Sequence, residues 1–381
     1  MVSSIFYYIA PLLCYLSFFI KEFKRPLFRN ILFIILALFI CGGYMTGSDW
    51  RNYEPAFYDI QKGGVGNPYW APGYIWLNKL FVFIGFDFWL FFVTLKIVLF
   101  FSIIYFFYYF SKFPLIALGL FISKNGYYLF VDNPMRNLIA IVLVGFSIIS
   151  WVEHRQKLSI VLAVSSLFFH YASISYLVLL PIAYYLKDKS LKKVILIVTS
   201  FCLAASFHSV IIEIIIFIAQ AMLGWIPSYF SIENSKSIPV TNSFIIILSR
   251  LLLIFPFLLL LKKKIKNYDN KTNFLFGLSC VYCVTFVVSR IVPILFRISM
   301  FFEIFTIIYL LECLQFIKKK NIIYAVFMLC FISSYFVYVA TTHYCFFIPY
   351  SNVFYYKLIG EELSYTYRSE YNFKNSPYKG E

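Results

Sequence analysis

The chain has 381 residues, of which 62% are hydrophobic and only 13% are charged, and its formal net charge is +16. A water-soluble core of ordinary proportions cannot hide so much apolar surface, so a lipid bilayer must cover it. The positive charge is divided among short segments between apolar runs, where it serves topology and anionic head groups. Because no groove-reading motif accompanies that charge, the composition argues against nucleic acid as a partner.

Six basic clusters separate the apolar runs and orient the chain. Cytoplasmic loops retain Lys and Arg while the bilayer centre rejects them, so each cluster is predicted to be cytoplasmic. The clusters are Lys21, Lys24, Arg25 and Arg29; Lys112; Arg155 and Lys157; Lys187, Lys189, Lys192 and Lys193; Lys262, Lys263, Lys264, Lys266 and Lys271; and Lys318, Lys319 and Lys320.

An all-α, polytopic membrane domain with about twelve transmembrane helices is predicted over residues 1–341. A helix needs about 20 residues to cross the hydrocarbon core. With both termini outside, twelve spans place every basic cluster in the cytoplasm. The predicted spans are residues 2–20, 30–46, 88–110, 113–131, 134–152, 157–170, 171–186, 193–222, 243–261, 273–290, 296–316 and 321–341.

Two of these regions allow alternatives. The stretch from Lys157 to Lys187 must cross twice if both flanking loops are cytoplasmic, which predicts two short helices that meet at His170. A single long helix is the alternative, and it would put one Lys-rich loop on the wrong side. The run from Lys193 to Gly224 fits either a tilted helix or a helix broken near His208.

Three external segments follow from this topology: the loop 46–86, the loop 225–242 and a polar, Tyr-rich C-terminal tail over 342–381. The first begins with GSDWRNY and ends in an amphipathic run with Tyr74, Trp76, Leu77 and Leu80. That run is too short to span, and its aromatic residues suit the head-group level. It is therefore predicted to be a helix that lies in the membrane interface.

Ionisable residues at the mouths of spans are costly, so each is a functional candidate. In the predicted topology they gather in the outer half of the membrane or just above it. Arginine predominates among them, with a few residues that could act as bases, and this combination suits a substrate that carries phosphate. The set comprises Asp49, Arg51, Arg136, His170, Arg250, Arg290, Arg297 and Glu303.

The arginines are candidates for binding a diphosphate, because a guanidinium stays charged and donates two parallel hydrogen bonds to phosphate oxygens. Arg136 lies in the first turn of a span after Pro134, and Arg290 and Arg297 flank a break at Pro293. The alternative is that these arginines reach outward to lipid head groups, or pair with acidic residues such as Asp132 and Glu303. Arg51 is also predicted to bind the diphosphate, and Arg250 is predicted to have a supporting role.

Asp49 is the first candidate for a general base, with Arg51 and Tyr53 close in sequence. It could equally serve as the N-cap of a helix over RNYEPAF. His170 titrates near neutrality and is the second candidate, or a capping residue at the helix break. Glu303 is either the partner of Arg297 or a catalyst. The sequence has no Asp-x-Asp pair for a divalent ion, so neither a metal nor another cofactor is expected.

Taken in order, the motifs GSDWRNY, PYWAPGYIWLNKLF, NPMRNLIA, SLFFHYASI, RISMFFEIF and the late Pro349-Tyr350 resemble those of EpsG-like and Wzy-type polymerases of bacterial exopolysaccharide and O-antigen. The resemblance extends from about residue 40 to 350. It implies a glycosyltransferase of the bacterial inner membrane that joins undecaprenyl-diphosphate-linked repeat units at the periplasmic face, with a chain-length regulator protein as a further candidate partner. It also implies a GT-C-like fold, since GT-C enzymes place an acidic residue in the first external loop, where Asp49 stands.

Three other activities compete with polymerisation. A flippase for the same lipid-linked sugar would be expected to carry charge near the membrane centre and internal repeats, and the sequence shows neither. An acyltransferase would fit His170, but no Asn or Asp accompanies that histidine. An O-antigen ligase uses the same donor with a different acceptor, and the sequence alone hardly separates it from a polymerase.

Overall fold

The computed structural model describes residues 5–132, 134–205, 248, 251–252, 255–263, 270–289, 294–316, 318–343 and 350–374. In these ranges every named element is helical and no β-strand occurs, which confirms the all-α prediction. The α-helices are α1 Ile5–Phe19, α2 Pro26–Ile40, α3 Trp50–Gln61, α4 Pro72–Phe83, α5 Phe88–Phe110, α6 Pro114–Phe121, α7 Met135–Val152, α8 Gln156–Leu167, α9 Ile174–Lys187, α10 Leu191–Ala205, α11 Asn270–Val288, α12 Ile294–Leu311, α13 Lys319–His343, α14 Val353–Ile359 and α15 Tyr365–Lys374.

Five helical stretches in the described ranges are long and apolar enough to cross a membrane: Phe88–Phe110, Met135–Val152, Asn270–Val288, Phe296–Phe316 and Asn321–Thr341. The helices α1, α2 and α8 are apolar but shorter. The loop 225–242 and the end of the predicted span 193–222, from residue 206 on, lie outside the described residues, and the predicted span 243–261 is described only at residues 248, 251–252 and 255–261. The number of twelve spans therefore stays a prediction.

The second predicted span, residues 30–46, is wrong at its C-terminal end. Helix α2 ends at Ile40, and residues 41–49 form an irregular turn. This turn contains two residues with positive φ, Met45 at 49° and Gly47 at 86°. A right-handed helix does not accommodate that conformation.

Two other stretches depart from plain α-helix. After α6, the chain continues through π-helical turns over Ile122–Gly126 and Tyr128–Asp132, in a region predicted as one regular span. Near His170, α8 ends at Leu167, a 3-10 turn covers Tyr171–Ser173, and α9 follows. The predicted break between two short helices at His170 is thus confirmed.

The chain divides into two compact units: unit 1 comprises Met1–Ser173 and Leu311–Glu381, and unit 2 comprises Ile174–Leu310. In unit 1, α1, α6 and α13 pack together. The Ser333 hydroxyl there lies 2.6 Å from the Tyr15 hydroxyl and 2.9 Å from that of Ser123. In unit 2, α9 packs closely on α11, since a Cβ at Gly277 would lie only 2.0 Å from the Ala183 carbonyl oxygen.

The loop between α2 and α5 and the C-terminal tail both contain helices in unit 1. Helix α4 buries Tyr74 and Asn78, four residues apart, and exposes Trp76, Leu80 and Phe83. An exposed apolar face of this kind is typical of a helix in the membrane interface. The tail contains α14 and α15, and an antiparallel bridge joins Asn352 to Gly43.

Candidate functional site

The turn over residues 41–49 is fastened to the end of the π-helical stretch. The Ser48 amide donates to Asp132 Oδ1 at 2.7 Å, and the Asp49 amide donates to the Asp132 carbonyl at 3.2 Å. Gly47 is required here, because a Cβ would lie 2.1 Å from the Val131 carbonyl oxygen. Asp49 is therefore held in place by a residue 83 positions away, through its backbone.

Asp49 occupies the N-cap position of α3, but its carboxylate accepts no capping hydrogen bond from the first turn. Its backbone is in the right-handed helical region, whereas N-cap residues usually adopt extended dihedral angles. The carboxylate is half-buried. The capping alternative thus finds no support in the geometry of the helix start.

Three aromatic rings lie between α3 and α4. The ring centroids of Tyr53 and Trp70 are 5.1 Å apart, those of Tyr53 and Tyr74 are 5.2 Å apart, and those of Trp70 and Tyr74 are 5.4 Å apart. We call these three residues the aromatic cluster. The guanidinium carbon of Arg136 lies 5.1 Å from the Trp70 ring centroid, within the range of a cation–π interaction.

Tyr53 connects Asp49 with Arg136. Burial, helped by the negative charge of Asp49, raises the pKa of the Tyr53 hydroxyl to about 12, and the nearby Arg136 opposes that rise. The phenol is therefore protonated at neutral pH and can donate a hydrogen bond. The structure thus brings Asp49, Tyr53 and Arg136 into one neighbourhood of unit 1.

Arg136 lies in the first turn of α7, directly after Met135. Its side chain is half-buried, and its Nε is buried without an acceptor in the part of the chain that the structure describes. Backbone N–H groups at a helix start and the helix dipole both favour an anion. The position combines a buried guanidinium donor with a helix N-terminus, which suits a phosphate group.

Arg51 lies in the first turn of α3 and its charge acts on the carboxylate of Asp132. The same carboxylate accepts the hydrogen bond from the Ser48 amide. Arg51 therefore lies close to Asp132, the residue that holds the turn before α3 in place.

His170 lies in the turn between α8 and the 3-10 turn, with a half-buried side chain. Its amide donates to the Ser166 carbonyl at 3.0 Å, and its carbonyl accepts from the Ser173 hydroxyl at 2.8 Å. The neighbouring Phe168 carbonyl accepts the Gly73 amide at 2.7 Å. The His170 turn is thus fixed to the first turn of α4, one residue before Tyr74.

The remaining predicted residues belong to unit 2. Arg297 is exposed on α12 and Glu303 is buried on the same helix. A spacing of six residues places them about 120° apart around the helix axis. Arg250 and Arg290 lie outside the described residues. The assignment of Arg290 and Arg297 to a diphosphate stays a prediction.

Lys96 is a charged residue that is not among the predicted site residues. It lies within α5 and is fully buried, and its ammonium donates to the Phe130 carbonyl at 3.2 Å and lies 4.8 Å from the Phe92 ring centroid. It thereby supports the π-helical stretch that ends at Asp132. The sequence itself marks Lys96 as a candidate, since a lysine within a 23-residue apolar helix is costly and usually has a specific role.

Glu54 is the second missed residue. It is buried on α3, its Oε1 accepts the Trp89 indole N–H at 3.0 Å, and its Oε2 has no donor among the described residues. Burial raises the pKa of this carboxyl to about 7, although the Trp89 hydrogen bond lowers it. Across the described ranges, no group of three or more His, Cys, Asp and Glu residues could hold a metal ion.

The apolar helices indicate a polytopic helical membrane protein, and Asp49, Arg51 and Arg136 form a candidate polar site in unit 1, around the loop between α2 and α5. The chain belongs to the EpsG family, because the sequence model of that family matches residues 26–352. This membership makes it a membrane protein related to polysaccharide biosynthesis, with a glycosyltransferase-like role at the level of the family. Searches of curated proteins and of solved structures found no match.

Proposed function

We propose that this protein is a polysaccharide polymerase that joins oligosaccharide repeat units carried on undecaprenyl diphosphate. The reaction takes place at the outer face of the bacterial inner membrane, in a GT-C-like fold of about twelve spans with an external C-terminal tail. Membership of the EpsG family supports the class of substrate. The observation that carries the proposal is the contact of the Trp70 ring with both Tyr53, four residues after Asp49, and the Arg136 guanidinium.

In this proposal, Arg136 and Arg51 bind the diphosphate of the donor. Their charge stabilises the negative charge that develops as the bond between the sugar carbon and the phosphate oxygen breaks. Asp49 takes the proton from the acceptor hydroxyl, whose oxygen forms the new glycosidic bond. Undecaprenyl diphosphate leaves as the anion. His170 is the alternative base, since its turn is fixed to α4 beside Tyr74.

Deletion of the gene, followed by gel analysis of the cell's glycan, tests the class of activity. A lost polymerase leaves single-repeat products, a lost flippase leaves no surface repeat, and a lost ligase leaves unattached polymer. Either of the last two patterns would contradict the proposal and identify the competing activity.

Complementation with Arg136→Ala then tests the site. Loss of a charge-assisted contact to phosphate costs about 2 to 3 kcal/mol, which lowers the rate roughly a hundredfold. Arg155→Ala is the matched control, because Arg155 pairs with Glu153 at 2.6 Å in a predicted cytoplasmic loop. Normal polymer from the Arg136→Ala protein at normal protein level would exclude Arg136 from the diphosphate site.

A further inference from the structure

The C-terminal segment 350–374, which we call the strap, pairs with the turn that leads to Asp49. The Tyr44 amide donates to the Ser351 carbonyl at 2.9 Å, and the Val353 amide donates to the Gly42 carbonyl at 2.8 Å. These two bonds flank the antiparallel bridge between Gly43 and Asn352. The strap thus completes the backbone pairing of a turn that lies more than 300 residues earlier.

Side chains reinforce this pairing in a buried contact. The hydroxyls of Thr46 and Ser351 are 3.4 Å apart, and both residues are buried. The Asn352 amide nitrogen donates to the Leu38 carbonyl at 2.9 Å, near the end of α2. The Tyr350 hydroxyl donates to the neighbouring Phe39 carbonyl. The last turn of α2 and the turn that follows are both held by the strap.

Arg368 is the charged residue that the strap buries most deeply, with 3% of its surface exposed. Its Nε donates to the Met45 carbonyl at 3.0 Å, and its guanidinium carbon lies 5.4 Å from the Tyr371 ring centroid. Met45 has a φ of 49°, a left-handed conformation that is strained for a residue with a side chain. Arg368 therefore stabilises the strained residue four positions before Asp49.

The strap also contacts the chain after Asp49. The Tyr365 hydroxyl lies 3.4 Å from the Arg51 carbonyl, and the Tyr365 ring is 5.4 Å from that of Trp50. Asp49 and Arg51 thus lie in a segment that the strap holds at both ends. The EpsG match stops at residue 352, so Arg368 lies beyond the part of the chain that the family covers.

We infer that Arg368 is a positioning residue for the transfer reaction: it acts through the Met45 carbonyl to fix the turn that presents Asp49 and Arg51 to the lipid-linked substrate. This inference rests on the proposed function. A misplacement of about 1 Å at a reacting group can lower a rate on the order of a hundredfold. A residue that never touches substrate can therefore control the activity.

The first experiment compares Arg368→Ala with Lys374→Ala, an exposed cation on the same helix that pairs with Glu370 at 3.8 Å. We expect Arg368→Ala to reduce polymer about tenfold to a hundredfold per unit of membrane-inserted protein, and Lys374→Ala to leave it unchanged. Arg368→Met keeps a long apolar stem, removes the donor to the Met45 carbonyl and serves if the alanine protein is not inserted. Normal polymer from an inserted Arg368 variant would overturn the inference.

The second experiment replaces the lost contact by a covalent one. Cysteines at Thr46 and Ser351 are expected to form a disulfide, because the native hydroxyls already lie 3.4 Å apart. Added to Arg368→Ala, this bond should restore polymer to within about twofold of the parent protein, and a reductant should abolish the recovery. A merely structural loss elsewhere in the strap would not respond to the redox state of this one bond.

Mass spectrometry of the bridged peptides separates the possible failures. A disulfide that forms without recovery of polymer means that Arg368 does not act through the turn, which overturns the inference. Absence of the disulfide in protein that retains Arg368 means that the strap does not lie on the turn, with the same consequence. Failure of the proposed function is distinguishable, because it appears after gene deletion as the glycan pattern of a lost flippase or a lost ligase, whereas disulfide formation is measured on the protein itself.

Discussion

Glu54 makes the stability of the folded protein dependent on pH in a direction that the structure fixes. Its carboxyl is buried beside Trp89 on α3, and burial raises its pKa from 4.5 to about 7. Between these two values the folded protein binds more protons at this group than the unfolded chain does. The contribution of Glu54 is therefore fully present below pH 4.5 and is lost as the pH rises through 7.

The size of the effect follows from the pKa difference. Each unit corresponds to about 1.4 kcal/mol, so the difference sets a ceiling of roughly 3.4 kcal/mol. Because solvent reaches part of the surroundings of this carboxyl, screening reduces the expected value to about 1 to 2 kcal/mol. Glu54→Gln keeps an oxygen that accepts the Trp89 N–H and removes the ionisation.

Thermal unfolding of the detergent-purified protein at pH 5 and pH 8 measures this contribution. We expect the Glu54→Gln protein to unfold at a temperature close to that of the parent at pH 5 and about 1 to 3 °C above it at pH 8. The Glu361→Gln protein, in which an exposed carboxylate of the tail is neutralised, should unfold at the same temperature as the parent at both pH values. Parallel pH dependence in the parent and in Glu54→Gln would refute the reasoning.

Three further predictions concern the base, the buried lysine and the topology. Asp49→Asn should give inserted protein that leaves repeat units unpolymerised on a gel, since a general base contributes about a hundredfold to ten-thousandfold; near-normal polymer would make His170 the leading base. Lys96→Met should leave the Phe130 carbonyl without its donor and reduce the free energy of unfolding by about 1 to 3 kcal/mol, which is measured as a lower unfolding temperature. An unchanged unfolding temperature would show that Lys96 does not stabilise this stretch. A cysteine at Lys263 should resist an impermeant thiol reagent in intact cells, because its basic loop is predicted to be cytoplasmic; labelling there would reverse the orientation.

Local sequence patterns predict part of this structure because their causes are local. The break at His170 could be predicted because the stretch from Lys157 to Lys187 must cross the membrane twice if both flanking basic loops are cytoplasmic. So short a stretch allows only two short helices with a break between them. Asp49, Arg51 and Arg136 could be selected because ionisable residues beside apolar runs are costly. Lys96 met the same criterion and could have been found by it.

Other features depend on contacts between distant parts of the chain. The role of Arg368 requires that the tail return to the turn after α2, and nothing near residue 368 indicates this pairing. The contact between Thr46 and Ser351 spans 305 residues. The burial of Glu54 likewise depends on Trp89, which lies on a different helix. Periodicity and charge patterns describe one segment at a time and do not report such partners.

The π-helical stretch that ends at Asp132 has a consequence for how this chain can vary. A π-helical turn holds an extra residue within an otherwise α-helical run. Removal of a single residue between Ile122 and Asp132 would allow regular α-helix and would rotate the end of the stretch by about 100°. The Asp132 carboxylate would then lose the 2.7 Å hydrogen bond that it accepts from the Ser48 amide. Gaps in an alignment of relatives should therefore avoid this stretch.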